Sequence, residues 1–159
     1  MFTFHRLLGA VTLALLLPGF AVAQDSDARE IQSHVLTAAG LAKYTQATKK
    51  IAALPGGDCD DDGDDSPSLD QMTAKLNASP GAKAAIQSAG MTTREYVVFS
   101  WSLLQTGLAA WAVDQPGGKL PPGASKANVD FYKKNEAALQ QLEGAGGDCE
   151  DDRNEDDEE

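Results

Sequence analysis

Thr92-Thr93-Arg94-Glu95-Tyr96-Val97-Val98-Phe99-Ser100-Trp101-Ser102-Leu103-Leu104-Gln105-Thr106-Gly107-Leu108-Ala109-Ala110-Trp111-Ala112-Val113-Asp114 decides the fold. Thr92 and Glu95 make a capping box: the hydroxyl can accept the N–H three residues on, and the carboxylate can reach back. From Glu95 to Asp114 there is no charge over 18 residues. Tyr96, Val97, Phe99, Trp101, Leu103, Leu104, Leu108 and Trp111 wrap most of a helical circumference, the pattern of a buried central helix. The stretch also reaches the lower length limit of a membrane span. Ser100, Ser102, Gln105 and Thr106 interrupt it, so the core helix is the preferred reading over a membrane or partner-facing one.

Working outward, every neighbouring segment reads as helix, and no alternating β-branched run of strand length occurs. On the C-terminal side, Pro116-Gly117-Gly118 and Pro121-Pro122-Gly123 make a connection over 114–125. Ser125 or Asn128 then caps a last helix carrying Val129, Phe131, Tyr132, Ala138, Leu139 and Leu142, and Gly144 ends it. On the N-terminal side, Gly90 stops a helix that Ser79-Pro80 opens as N-cap and N1. Ser68 and Gln71 form a second capping box, ahead of Leu69, Met72 and Leu76. Ile31, Val35, Leu36, Leu41, Tyr44, Ala47, Ile51 and Leu54 form an apolar stripe over about 26–54, with a phase slip at Gly40. The spacing predicts two helices, or one broken at Gly40, ended by Pro55-Gly56-Gly57.

Residues 1–23 read as a secretory signal peptide. Arg6 and the amino terminus supply positive charge, Leu7 to Leu17 an apolar run, and Ala21-Val22-Ala23 a cleavage site, so the mature chain is expected to begin at Gln24. The apolar run is too short to cross the ~30 Å hydrocarbon core as a helix. A periplasmic or secreted protein with no stable membrane span after processing is therefore expected. The predicted division is signal peptide 1–23, helical domain 24–147 with an acidic loop over 58–65, and acidic tail 148–159.

The formal net charge of -11 belongs to two short runs rather than to the fold. Asp58 to Asp65 holds six acidic side chains and no base, and Asp148 to Glu159 holds nine with Arg153 as its base. The rest of the mature chain carries 11 basic and nine acidic side chains, a net of +2. Acidity of this kind argues against nucleic acid as a partner, whose phosphates it would repel. A protein or other cationic partner fits it better.

The two runs resemble each other. Gly56-Gly57-Asp58-Cys59-Asp60-Asp61-Asp62 matches Gly146-Gly147-Asp148-Cys149-Glu150-Asp151-Asp152 at six of seven positions. Outside the cytosol two cysteines are expected to pair. A Cys59–Cys149 bridge would close a loop worth roughly 4–5 kcal/mol on the chain-entropy account. It would also bring like charges together, and a divalent cation would relieve the repulsion. Hard oxygen ligands suit Ca²⁺ or Mg²⁺. Asp58, Asp60 and Asp62 followed by Gly63 fit the first half of an EF-hand loop, with Asp64 at the seventh position. Leu69 stands where the twelfth-position glutamate belongs, so the expectation is a looser Ca²⁺ site on Asp58, Asp60, Asp62 and Asp64, against the plainer reading of two solvated loops.

Catalytic signals are missing. His34 is the one histidine of the mature chain, and with both cysteines paired no nucleophile–base combination assembles. No phosphate-cradling loop, G-x-S-x-G, H-E-x-x-H or C-x-x-C occurs. The segments Leu41-Ala42-Lys43-Tyr44, Ser79-Pro80-Gly81-Ala82-Lys83, Met91-Thr92-Thr93-Arg94-Glu95-Tyr96 and Ala127-Asn128-Val129-Asp130-Phe131 resemble those of small exported all-helical bacterial proteins of unassigned function. The resemblance implies export and an all-helical fold, and transfers no catalytic residue.

The sequence thus predicts one all-α domain of four or five helices around residues 92–113. It is expected to be a non-enzymatic binding or interaction protein, with cation binding by the acidic clusters as its specific form. The alternative is a small-molecule carrier with Tyr96, Phe99, Trp101 and Trp111 lining a pocket.

Overall fold

A computed structural model describes residues 20–55 and 67–143 of the chain. Every regular element among them is a helix: α1 (Phe20–Ser33), α2 (Ala38–Ala52), α3 (Leu69–Ala78), α4 (Pro80–Ser88), α5 (Thr93–Asp114) and α6 (Lys126–Glu143). The all-α expectation holds, with six helices where four or five were expected. The acidic loop, most of the acidic tail's approach, the tail itself, Cys59 and Cys149 lie outside the described residues.

Local chemistry sets most of the helix ends. The Thr92 hydroxyl accepts the Glu95 N–H, and the Glu95 carboxylate accepts the Thr92 N–H at 2.7 Å. Ser68 and Gln71 do the same for α3. Ser79 caps α4, with Pro80 at its first position, and Gly90 leaves it in the left-handed region at φ 79°, a conformation that favours glycine. For α6 the Ser125 hydroxyl accepts the Asn128 N–H at 3.3 Å. Ser125 is therefore the cap, and Asn128 is freed for another task.

Two helices form here, as the first of the two readings expects, but the break lies ahead of Gly40 rather than at it. The chain leaves helix over 34–37 and re-enters with Thr37 as N-cap, its hydroxyl accepting the Gly40 N–H at 3.0 Å. Gly40 lies inside α2, where it lets another helix approach. A Cβ at Gly40 would sit 2.7 Å from Cε2 of Phe99 on α5. The broken segment is held by Asn128 from α6, which accepts the Leu36 N–H at 3.1 Å and donates to the His34 carbonyl at 2.8 Å.

Helix α5 packs against all five other helices, as its composition led one to expect. Phe99 and Leu103 join Leu41, Ala47, Ile86 and Leu139 in the main core, while Val97 and Val98 join Ile31 and Leu69. Ala109 and Ala110 pack on Val129. Burying Phe99 stabilises the fold by about 1.5–3 kcal/mol. Ser102 is buried on this helix; its hydroxyl lies 2.7 Å from the Val98 carbonyl and 3.1 Å from the Ile31 carbonyl, so the group is satisfied across α1 and α5. One expectation fails. Burial does not wrap the helix: Leu104, Leu108 and Trp111 are exposed at 52, 61 and 66 %. They follow at steps of four and three residues and form one stripe. Among the described residues α5 is the helix long and apolar enough to cross a membrane.

Candidate functional site

Helix α5 borders two open hollows that α2 also lines. The larger, of 650 Å³, lies between the end of α2, α3, the start of α4 and the first half of α5. Ile51 and Leu54 form one wall, Met72 and Leu76 another, and Tyr96, Val97 and Trp101 the α5 side. These positions recur because α5 offers the residues at steps of one, three and four to one face. Trp101 is fixed there: its indole N–H donates to the Met72 sulfur at 2.9 Å. Lys75, Ser79 and Ser100 are the polar side chains of the described lining. Lys75 also has an interaction within the protein.

The second hollow, of 450 Å³, continues along α5 toward α6. Leu103, Leu104 and Leu108 supply its α5 wall, Tyr44 and Thr48 its α2 wall, and Leu139 part of its α6 wall. Ser100 borders both hollows. Between them stand Tyr44 and Tyr96, stacked with centroids 4.9 Å apart and rings 26° from parallel. Their hydroxyls are satisfied within the wall. Tyr44 donates to Ser100 Oγ at 3.3 Å, and Tyr96 shares a 3.1 Å hydrogen bond with Thr48. Burial pushes the Tyr96 phenol up to about 12, so it stays neutral. Gly107 keeps the far wall tight, since a Cβ there would meet the Tyr132 ring at 3.0 Å. A smaller hollow of 210 Å³ lies under residues 121–125.

The four aromatic residues of the expected carrier pocket separate. Tyr96 and Trp101 share the larger hollow. Phe99 is 2 % exposed in the core, edge-on to His34 at 5.6 Å and tilted against Tyr44. Trp111 lies on the exposed stripe. Thr48 and Ser100 join the wall although no sequence pattern marks them as site residues. Ser100 reads as an interruption of an apolar helix, and only its partner on α2 shows its place in the wall. Asp58, Asp60, Asp62, Asp64, Cys59 and Cys149 lie outside the described residues. His34 is half-buried, and burial lowers its pKa while Glu30 and Glu95 pull it upward. No three His, Cys, Asp or Glu side chains gather as a metal site among the described residues.

No protein-family model, curated protein or solved structure is significantly similar to this chain.

Proposed function

We propose that the mature chain is an exported, non-catalytic binding protein that holds a small apolar ligand in the hollow between α2, α3, α4 and α5. The observation that supports this reading is the 650 Å³ cleft itself, walled by Ile51, Leu54, Met72, Leu76, Tyr96 and Trp101. Ligand sites of about 300–1,000 Å³ with apolar and aromatic walls and few polar groups are the usual form for small molecules. Processing after Ala23 would leave α1 to begin at Gln24.

The test uses Trp111→Phe protein, in which Trp101 is the one remaining tryptophan. Titration with anilinonaphthalene sulfonate is expected to saturate, with energy transfer from Trp101. Leu54→Glu, which puts a charge in the wall beyond the end of α2, is expected to weaken binding at least tenfold while far-ultraviolet circular dichroism stays unchanged. Probe binding that never saturates, or that ignores Leu54→Glu, would rule the cleft out.

A second reading is divalent-cation binding by Asp58, Asp60, Asp62 and Asp64, favoured by the D-x-D-x-D-G spacing of Asp58 to Gly63. Its mark is a rise in melting temperature with millimolar Ca²⁺, larger in oxidised than in reduced protein.

A further inference from the structure

We propose that Met72 is an oxidation site, where a peroxide turns the thioether into its sulfoxide and makes one wall of the cleft polar. The effect on a ligand rests on the binding reading above; the modification itself does not. Met72 and Met91 are the methionines of the described residues, and the fold treats them differently. Met91 is buried in the main core cluster with Ile86 and Phe99. Met72, on α3, is half-buried. It packs on the cluster of Leu69 and Val97 and also borders the open 650 Å³ hollow. A small peroxide that enters the hollow therefore meets the sulfur of Met72 and not that of Met91.

Hydrogen peroxide suffices as the oxidant. A lone pair of the Met72 sulfur attacks one peroxide oxygen, the S–O bond forms as the O–O bond breaks, and sulfur gives up two electrons. The proton on the transferred oxygen passes to the departing hydroxide, which leaves as water. Geometry decides which lone pair reacts. The Trp101 indole N–H donates to the sulfur at 2.9 Å, which leaves no room for an oxygen between the two atoms. Attack is confined to the other lone pair, so the folded protein should yield one of the two sulfoxide epimers. The product is polar where the thioether was apolar. Its oxygen joins a wall shared with Ile51, Leu54 and Leu76. There it must hold water or turn toward the Trp101 N–H, because a buried acceptor without a partner costs free energy. Either outcome spoils the wall for an apolar ligand.

The test exposes folded protein to dilute hydrogen peroxide and weighs the peptides after digestion. The Met72 peptide is expected to gain one oxygen about tenfold faster than the Met91 peptide. Methionine sulfoxide reductases act on one epimer each, so a single one of them should strip nearly all of that oxygen from the digested Met72 peptide. Trp101→Phe protein keeps an aromatic ring but loses the donor, and both reductases should then be needed. The same holds for parent protein oxidised in urea, where no indole guards the sulfur. Anilinonaphthalene sulfonate is expected to bind oxidised parent about tenfold more weakly than untreated parent. Met72→Leu protein should bind the probe equally before and after peroxide. Equal oxidation rates at Met72 and Met91 overturn the inference, as does an epimer mixture from folded parent that matches the one formed in urea. A probe that binds oxidised and untreated parent alike overturns the effect on the wall and leaves the cleft standing. A probe that binds neither overturns the cleft and the effect on a ligand with it, while the peptide masses and epimers still decide the modification.

Discussion

Asn128 is 5 % exposed and carries one task that no local pattern announces. Its amide joins α6 to the 34–37 break, through Leu36 and His34. The sequence offers it only as a cap, because a pairing across more than 90 residues leaves no trace in spacing. Asn128→Ala leaves a buried N–H and a carbonyl without partners, at a cost of roughly 2–3 kcal/mol. Urea denaturation should show that loss, whereas a role confined to capping α6 would cost less. Gly40 does not break a helix; the two helices part over 34–37, and Gly40 serves packing inside α2. Gly40→Ala should gain about 1 kcal/mol from helix propensity. The clash of its Cβ with Phe99 at 2.7 Å should outweigh that gain, for a net loss of about 1–2 kcal/mol. A stabilised Gly40→Ala protein would show that α2 and α5 pack less closely.

At the scale of elements, Arg94 on α5 ties α1 to α3. Its guanidinium meets Glu30 at 2.6 Å and also bonds Asp70. The hydrogen bond from Arg94 holds the Glu30 carboxyl below its usual value of 4.5. Backbone and hydroxyl bonds from Thr92 lower Glu95 in the same way. A carboxylate lowered in the folded state stabilises above its unfolded pKa and loses that contribution as pH falls through the folded value. The side chains of Arg94 and Glu30 are 39 and 40 % exposed, so solvent keeps the pair's contribution small. His34 acts in a higher window. Burial lowers its pKa from 6.5, so the unfolded chain takes up a proton first and stability falls as pH drops below that value. Urea midpoints at pH 7 and 5 should therefore differ less in His34→Gln than in the parent protein. As pH falls from the unfolded Glu30 value of 4.5 through the lowered folded one, Arg94→Gln should lose less stability than the parent protein in urea denaturation. Equal losses in His34→Gln and parent would remove His34 as the source.

Capping shows where sequence speaks plainly. Thr92→Ala should cost about 1 kcal/mol, and both capping boxes were legible because each is complete within four residues. The cleft was legible only in part. Tyr96 and Trp101 stand out as aromatic residues in the uncharged stretch 96–113, but so do Phe99 and Trp111. What separates them is which neighbour covers each face of α5, and that depends on Gly40, Gly107 and the α2–α6 packing rather than on any periodicity within α5.

Across the whole molecule, α5 does two jobs. One side is the core that all other helices share. The other borders two largely apolar hollows and ends in the stripe Leu104, Leu108 and Trp111. A helix serving only the core would be covered all round, and its apolar composition alone could not tell the two cases apart. The same holds for the net charge of -11: it describes two acidic runs, while the walls proposed to hold a ligand carry Lys75 and otherwise hydroxyl or apolar groups. The proposed ligand site lies on α5 beside Trp101. Its most direct test is the proton–nitrogen NMR spectrum of ¹⁵N-labelled protein titrated with anilinonaphthalene sulfonate. The Trp101 indole resonance is expected to move together with the amides of Val97 and Ser100. An unmoved Trp101 indole, with shifts at Trp111 alone or nowhere, would contradict it.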